Sequence, residues 1–229
     1  MEDHRIGNRT DRLGVLLDQF DFARQMAQAR LDGLASPASL PKGAPLPPRT
    51  GDGPLTDEEY LWEPAPGAWS VRRRGEAASP RPFGPGEWLL DSAAGDPDPT
   101  PVTTIAWRLG HLHLDVAGSW EWTFGEGRRP PDQLVDFSPS AAVALERFWA
   151  AVDRWRGSLA AVTPGQLDTI GYCQYPWSDA AELPFISVIW AGNLELIHHM
   201  AEIALLRDLY RQANRQGVPG RPSRYRRGP

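Results

Sequence analysis

Apolar residues recur at intervals of three and four along four stretches of the chain, and each stretch predicts an amphipathic helix. The first covers about residues 10–35, where Leu13, Leu16, Leu17, Phe20, Met26 and Leu31 keep to one broad stripe. The second covers about 101–124 and the third about 139–162. Ser138 offers an N-cap for the third, and Pro139 suits the first helical position, where a missing N–H costs nothing. The fourth covers about 183–214. Its last two turns indicate which way it faces. Arg207, Asp208 and Arg211 cluster on one side, expected in solvent, and Ile203, Leu206, Leu209 and Tyr210 lie opposite, expected in the core.

A different pattern fills residues 36–100. Pro and Gly are frequent there, yet Leu61, Trp62, Trp69, Val71, Trp88, Leu89 and Leu90 supply large apolar side chains. "LTDEEYLWEP" opens with a capping box, Thr56 to Glu59, and predicts a short helix. "GAWSVRRR" and "GEWLLD" predict short extended pieces bounded by Gly and Pro. The insert is expected to cover one end of a bundle, with 36–52 loose. Four helices joined this way predict an all-α fold, a four-helix bundle with a Pro/Gly-rich insert between its first and second helices. Residues 1–214 are expected to form one domain. The tail at 215–229, "RQGVPGRPSRYRRGP", lacks a core-forming pattern and is expected to be disordered. Its arginines offer a contact to nucleic acid or an acidic partner, but a solvated tail is the preferred reading.

Composition narrows the function classes. The chain has 229 residues, 41% hydrophobic and 23% charged, with a formal net charge of -5. That describes a soluble globular protein not built to bind polyanions. Lys42 is the single lysine, a bias that reads as genome composition. One cysteine, Cys173, excludes an intramolecular disulfide and a Cys-based zinc knuckle, and reads as a packed or half-exposed thiol. "MEDHRIGNRTDR" lacks the apolar core of a signal peptide. The longest largely apolar run, "LPFISVIWAG", is about half of a membrane span. A cytoplasmic location without membrane association is the expectation.

Candidate chemistry lies on the second and fourth helical stretches. In "NLELIHHMAEIALLRDLY", Glu195, His199 and Glu202 fall within roughly 60 degrees of one another on the expected core side, with His198 at the edge of the arc. Buried carboxylate and imidazole are costly unless paired or bound to a metal. On the second stretch, His111 and His113 lie about 200 degrees apart and cannot share one site. Trp107, His111 and Asp115 form one stripe, so His111 is a third candidate ligand. From spacing alone two readings stay open. One is a His, Glu, His set around a divalent ion. The other is Glu195 bridging an arginine beside a hydrogen-bonded core His199. Glu195 and His198 also have the Glu-x-x-His spacing of di-iron bundles, but the sequence offers no second copy and a di-iron centre is not the expectation.

Three segments, "APGAWSVRRR", "TTIAWRLGHLHLDV" and "ELIHHMAEIALLRDLY", resemble the DinB-like superfamily of four-helix bundles, over roughly residues 10–213. That superfamily includes bacillithiol transferases and the mycothiol-dependent maleylpyruvate isomerase. The resemblance implies one divalent metal, zinc or nickel, held by a histidine of the second helix and a Glu-x-x-x-His pair of the fourth. His111, Glu195 and His199 match those positions. A register using His198 and Glu202 would put Leu194 at a ligand position. Glu202 is then a supporting group or a fourth ligand. The implied activities are thiol transfer, isomerisation through a thiol adduct, or hydrolysis, on a small-molecule substrate with a low-molecular-weight thiol such as mycothiol. Trp107, Trp149 and Trp190 are candidates for an apolar pocket wall, against the alternative of bundle core. The competing function is a non-catalytic bundle for ligand binding or dimerisation, since no acid, base or nucleophile stands out beyond the ligands. Bundles of this type often pair as homodimers, although no stripe in the sequence demands it.

Overall fold

A computed structural model describes residues 11–32, 53–95, 97–126 and 129–215, the last without its side chain. The expected loose stretch at 36–52 and the arginine-rich tail beyond Arg215 lie outside the described residues. Element order is α1 (Arg12–Leu31), α2 (Asp57–Tyr60), β1 (Val71–Arg73), β2 (Trp88–Leu90), α3 (Ile105–Thr123), α4 (Ala141–Leu159), α5 (Pro164–Leu167) and α6 (Phe185–Arg215). The fold is all-α in class, a helical bundle. The four long helices are those the periodicity predicts, and the insert contributes α2 and a two-stranded antiparallel sheet that pairs Val71 with Leu90 and Arg73 with Trp88. Among the described residues, packing divides the chain into two units, 11–32 with 53–55, 119–126 and 153–200, and 56–95 with 97–118, 129–152 and 201–215.

In the first unit, Asp11 caps α1 by accepting from the Gly14 N–H at 2.8 Å. Leu17, Phe20 and Leu31 bury the stripe that the pattern marks. The end of α3 meets α4 and the start of α6 through aromatic edges, Phe124 against Trp155 and Phe185, and Trp155 against Phe185. Asp21 accepts twice from Arg156 at 2.7 Å, tying α1 to α4. Asn193 of α6 donates to the Leu16 carbonyl at 2.8 Å and to Gln19 at 3.0 Å. Cys173 is fully buried, the packed thiol of the two readings offered for it.

The second unit holds the insert. Asp91 has no exposed surface and organises the loops around the sheet. Its carboxylate accepts from the backbone N–H of Ser70, Ala78 and Ser79 and from the Ser79 hydroxyl, all between 2.8 and 3.0 Å. A carboxylate satisfied this way replaces the water it loses on burial. Gly110 lets β2 come close to α3: a Cβ there would stand 2.9 Å from Leu90 Cδ1.

Two sequence expectations are corrected in this unit. Helix α4 starts at Ala141, after Ser140, rather than at Ser138. Ser138 instead accepts from the Ser140 N–H, and the first backbone N–H of α4 donates to Asp57 of α2 at 2.8 Å. The solvent side assigned to α6 is also wrong in part. Arg207 is fully buried and donates to Glu59 at 2.7 and 2.9 Å, while Leu209 is exposed. Glu59 therefore completes half of the expected capping box. Its N–H donates to Thr56 at 3.2 Å, but its carboxylate is taken by Arg207.

Candidate metal centre

The candidate ligands stand on two helices, α3 and α6. On α3, Leu109, Leu112 and Val116 are buried, and His111 between them is half-buried. Its ring stacks on Trp107, centroids 5.2 Å apart and planes within 6°. Trp107 is itself held at two points. Its indole N–H donates to the Asp91 carbonyl at 2.8 Å, and its backbone N–H donates to the Thr104 hydroxyl at 3.1 Å. Thr104 in turn donates to the Ser70 hydroxyl at 2.9 Å. The insert thus anchors the indole against which the His111 ring lies.

On α6, the one-turn spacing brings Glu195 and His199 together, with Nε2 of His199 3.1 Å from Oε2 of Glu195. The His199 side chain is 10% exposed and that of Glu195 39%. His198 points out to solvent and stacks face to face on His199 at 5.1 Å. Glu195 thus has the His199 imidazole among its partners, the contact that both readings of the spacing require of His199.

His111, Glu195 and His199 each offer one ligand atom, and these atoms lie within 4.8 Å of one another. The cluster can hold a metal ion. Its chemistry fits a borderline-soft divalent ion, since two imidazoles and one carboxylate are the donors of three-ligand sites that keep a further position open. Donors at about 2.0–2.2 Å from a tetrahedral ion stand about 3.3 Å apart, close to the spacing of the Glu195–His199 pair.

The remaining candidates fall elsewhere. Glu202 pairs with Arg108 at 3.1 Å, and the Arg108 guanidinium lies 5.3 Å above the Trp107 ring. His113 turns to the other side of α3, its ring edge-on to Phe148 at 6.4 Å. Burial lowers its pKa to about 4, with a further contribution from Arg147. Trp149 packs on Phe148 at 4.8 Å, whereas Trp190 is exposed and forms no enclosed wall. Asp91 is the participant that sequence reasoning missed. Its partners are mostly turn N–H groups, which carry no side-chain signature; the one clue is an acidic residue directly following the apolar run Trp88–Leu90.

Among the described residues no helix is long and apolar enough to cross a membrane. No curated protein and no solved structure gives a significant match to the chain. A family model, that of the DinB superfamily, matches residues 81–203. That segment contains α3, α4 and all three clustered side chains, and it spans more than half of the 229 residues. On this match the chain belongs to the DinB superfamily.

Proposed function

We propose that the protein binds one divalent ion, zinc or nickel, through His111, Glu195 and His199, and acts on a small molecule with a low-molecular-weight thiol or water as nucleophile. The observation that carries this reading is the approach of the three ligand atoms to within 4.8 Å. A bound ion supplies Lewis acidity there and lowers the pKa of a coordinated thiol or water. The chain's own residues do the rest. Trp107 holds the plane of the His111 ring, and Asp91 and Thr104 hold Trp107. Such supporting contacts orient ligands and raise metal affinity. Thiol transfer, isomerisation through a thiol adduct and hydrolysis share this requirement for an activated nucleophile beside an oriented substrate.

A second reading, a non-catalytic bundle that binds metal or ligand, is favoured by two observations. Glu202, the carboxylate nearest in sequence to the pair, is engaged by Arg108, and the single thiol, Cys173, is buried.

Metal analysis of untagged protein tests the proposal. The expected result is close to one zinc or nickel per chain, lost in His111→Ala and in His199→Ala and kept in His198→Ala. A parent protein empty after growth in metal-supplemented medium overturns it. Full metal content with no conjugation, isomerisation or hydrolysis of any thiol and electrophile pair supports the second reading instead.

A further inference from the structure

We infer, on the metal-centre reading above, that Arg108 selects the substrate there: a small carboxylate with a flat apolar body, whose carboxylate takes the place that Glu202 holds in this structure. Arg108 stands three residues before His111 on α3, so the two side chains are neighbours on the helix surface, about 5–6 Å apart at Cβ. Its guanidinium lies 5.3 Å from the centre of the Trp107 ring, the same ring on which His111 stacks at 5.2 Å. An arginine laid on an indole is already ordered, so it loses less freedom when it grips a ligand. Its planar fork of N–H donors matches the two oxygens of a carboxylate. Trp69 supplies the wall for the body. It is half-buried, with its ring 6.4 Å from that of Trp107 and tilted to it by 47°.

The setting of Arg108 differs from that of two other paired arginines in the same unit. Arg207 is fully buried on both oxygens of Glu59, and Arg72 is held by Glu63, Asp91 and the Ala68 carbonyl. Parting either from its partners would strand a buried carboxylate, Glu59 or Asp91. Arg108 faces Glu202 at 3.1 Å, with side chains 23% and 31% exposed. An ion pair that keeps this much water is weak, and Glu202 can turn to solvent when another carboxylate arrives. One carboxylate for another leaves the charge around Arg108 unchanged, so the exchange strands nothing. The guanidinium is therefore both ordered for an anion and released at little cost, one helical turn from a ligand of the proposed ion.

Titration calorimetry of the full-length protein with benzoate, and with benzamide as its uncharged counterpart, tests the assignment before and after chelator treatment. The parent protein is expected to bind benzoate at least tenfold more tightly than benzamide, and to do so in both states. Arg108→Met is expected to bring the two within twofold, with metal content and helical circular dichroism unchanged. Glu202→Gln is expected to bind benzoate at least threefold more tightly than the parent, because the competing carboxylate is gone. A merely structural ion pair would give no such gain. No preference for benzoate in the parent, a preference that survives in Arg108→Met or vanishes with chelator, or no gain in Glu202→Gln would each overturn the inference. Metal content reads the centre and the benzoate preference reads Arg108, so the two can fail separately.

Discussion

Arg207 has no exposed surface, and its guanidinium donates to both carboxylate oxygens of Glu59, itself buried. Removing one member of such a pair strands the other charge in a low-dielectric interior. Arg207→Met is therefore expected to cost about 3–5 kcal/mol in urea unfolding, and the double change with Glu59→Met much less, because it removes both desolvation penalties. A double change as costly as the single one would show that the pair is not the source. His113 gives a second prediction at this scale. Its folded pKa is depressed to about 4, so the native ring stays neutral while the unfolded chain takes up a proton below about 6.5. The unfolded state then binds more protons, and stability falls as pH drops from 6.5 towards 4, by on the order of 3 kcal/mol in all. His113→Asn is expected to flatten that part of the stability profile. These two residues also show the limits of reading residues one at a time. Glu195 and His199 were legible as a pair because helical periodicity decides which side chains of one helix share a face, whereas His111, on another helix, was matched to them through the family resemblance. Arg207 was misplaced because its partner lies 148 positions away, and no local pattern reveals a carboxylate waiting there.

At the scale of elements, the long helices appear within four residues of the predicted ends, and both short strands fall where Gly and Pro bracket apolar runs. The start of α4 was missed because its cap comes from outside the local sequence. Asp57 supplies it across 84 positions, which leaves Ser138 to bond within its own turn. Asp57→Ala is expected to cost about 1 kcal/mol, the usual value of an N-cap, and to raise hydrogen exchange at the first turn of α4. Ser138→Ala is expected to leave that turn protected, and the opposite ranking would restore Ser138 as the cap. The facing of α6 departs from its local pattern for a related reason. The arginines near its end predict a solvent side that turns Leu209 inward, whereas one of them fills the interior and Leu209 is left in water.

For the whole molecule, an ion that binds the native chain and not the unfolded one adds stability by mass action. Free zinc or nickel at a hundred times its dissociation constant is expected to raise the unfolding free energy by about 2.7 kcal/mol. The gain should disappear in His199→Ala, which isothermal denaturation with and without chelator measures directly. Equal gains in both proteins would locate the binding elsewhere. The buried Arg207–Glu59 bond has one more consequence. Helices in contact can slip past each other by a full turn, about 5.4 Å, and still mesh their ridges. A slip of α6 that set Ile203 opposite Glu59 would leave a bare anion in dry surroundings, whereas a slip the other way would bring up Arg211, which already stands 3.7 Å from Glu59. The bond therefore acts as a one-way pawl for α6 against the insert: the notch that meets Ile203 is blocked, while the notch on the Arg211 side offers Glu59 a replacement cation.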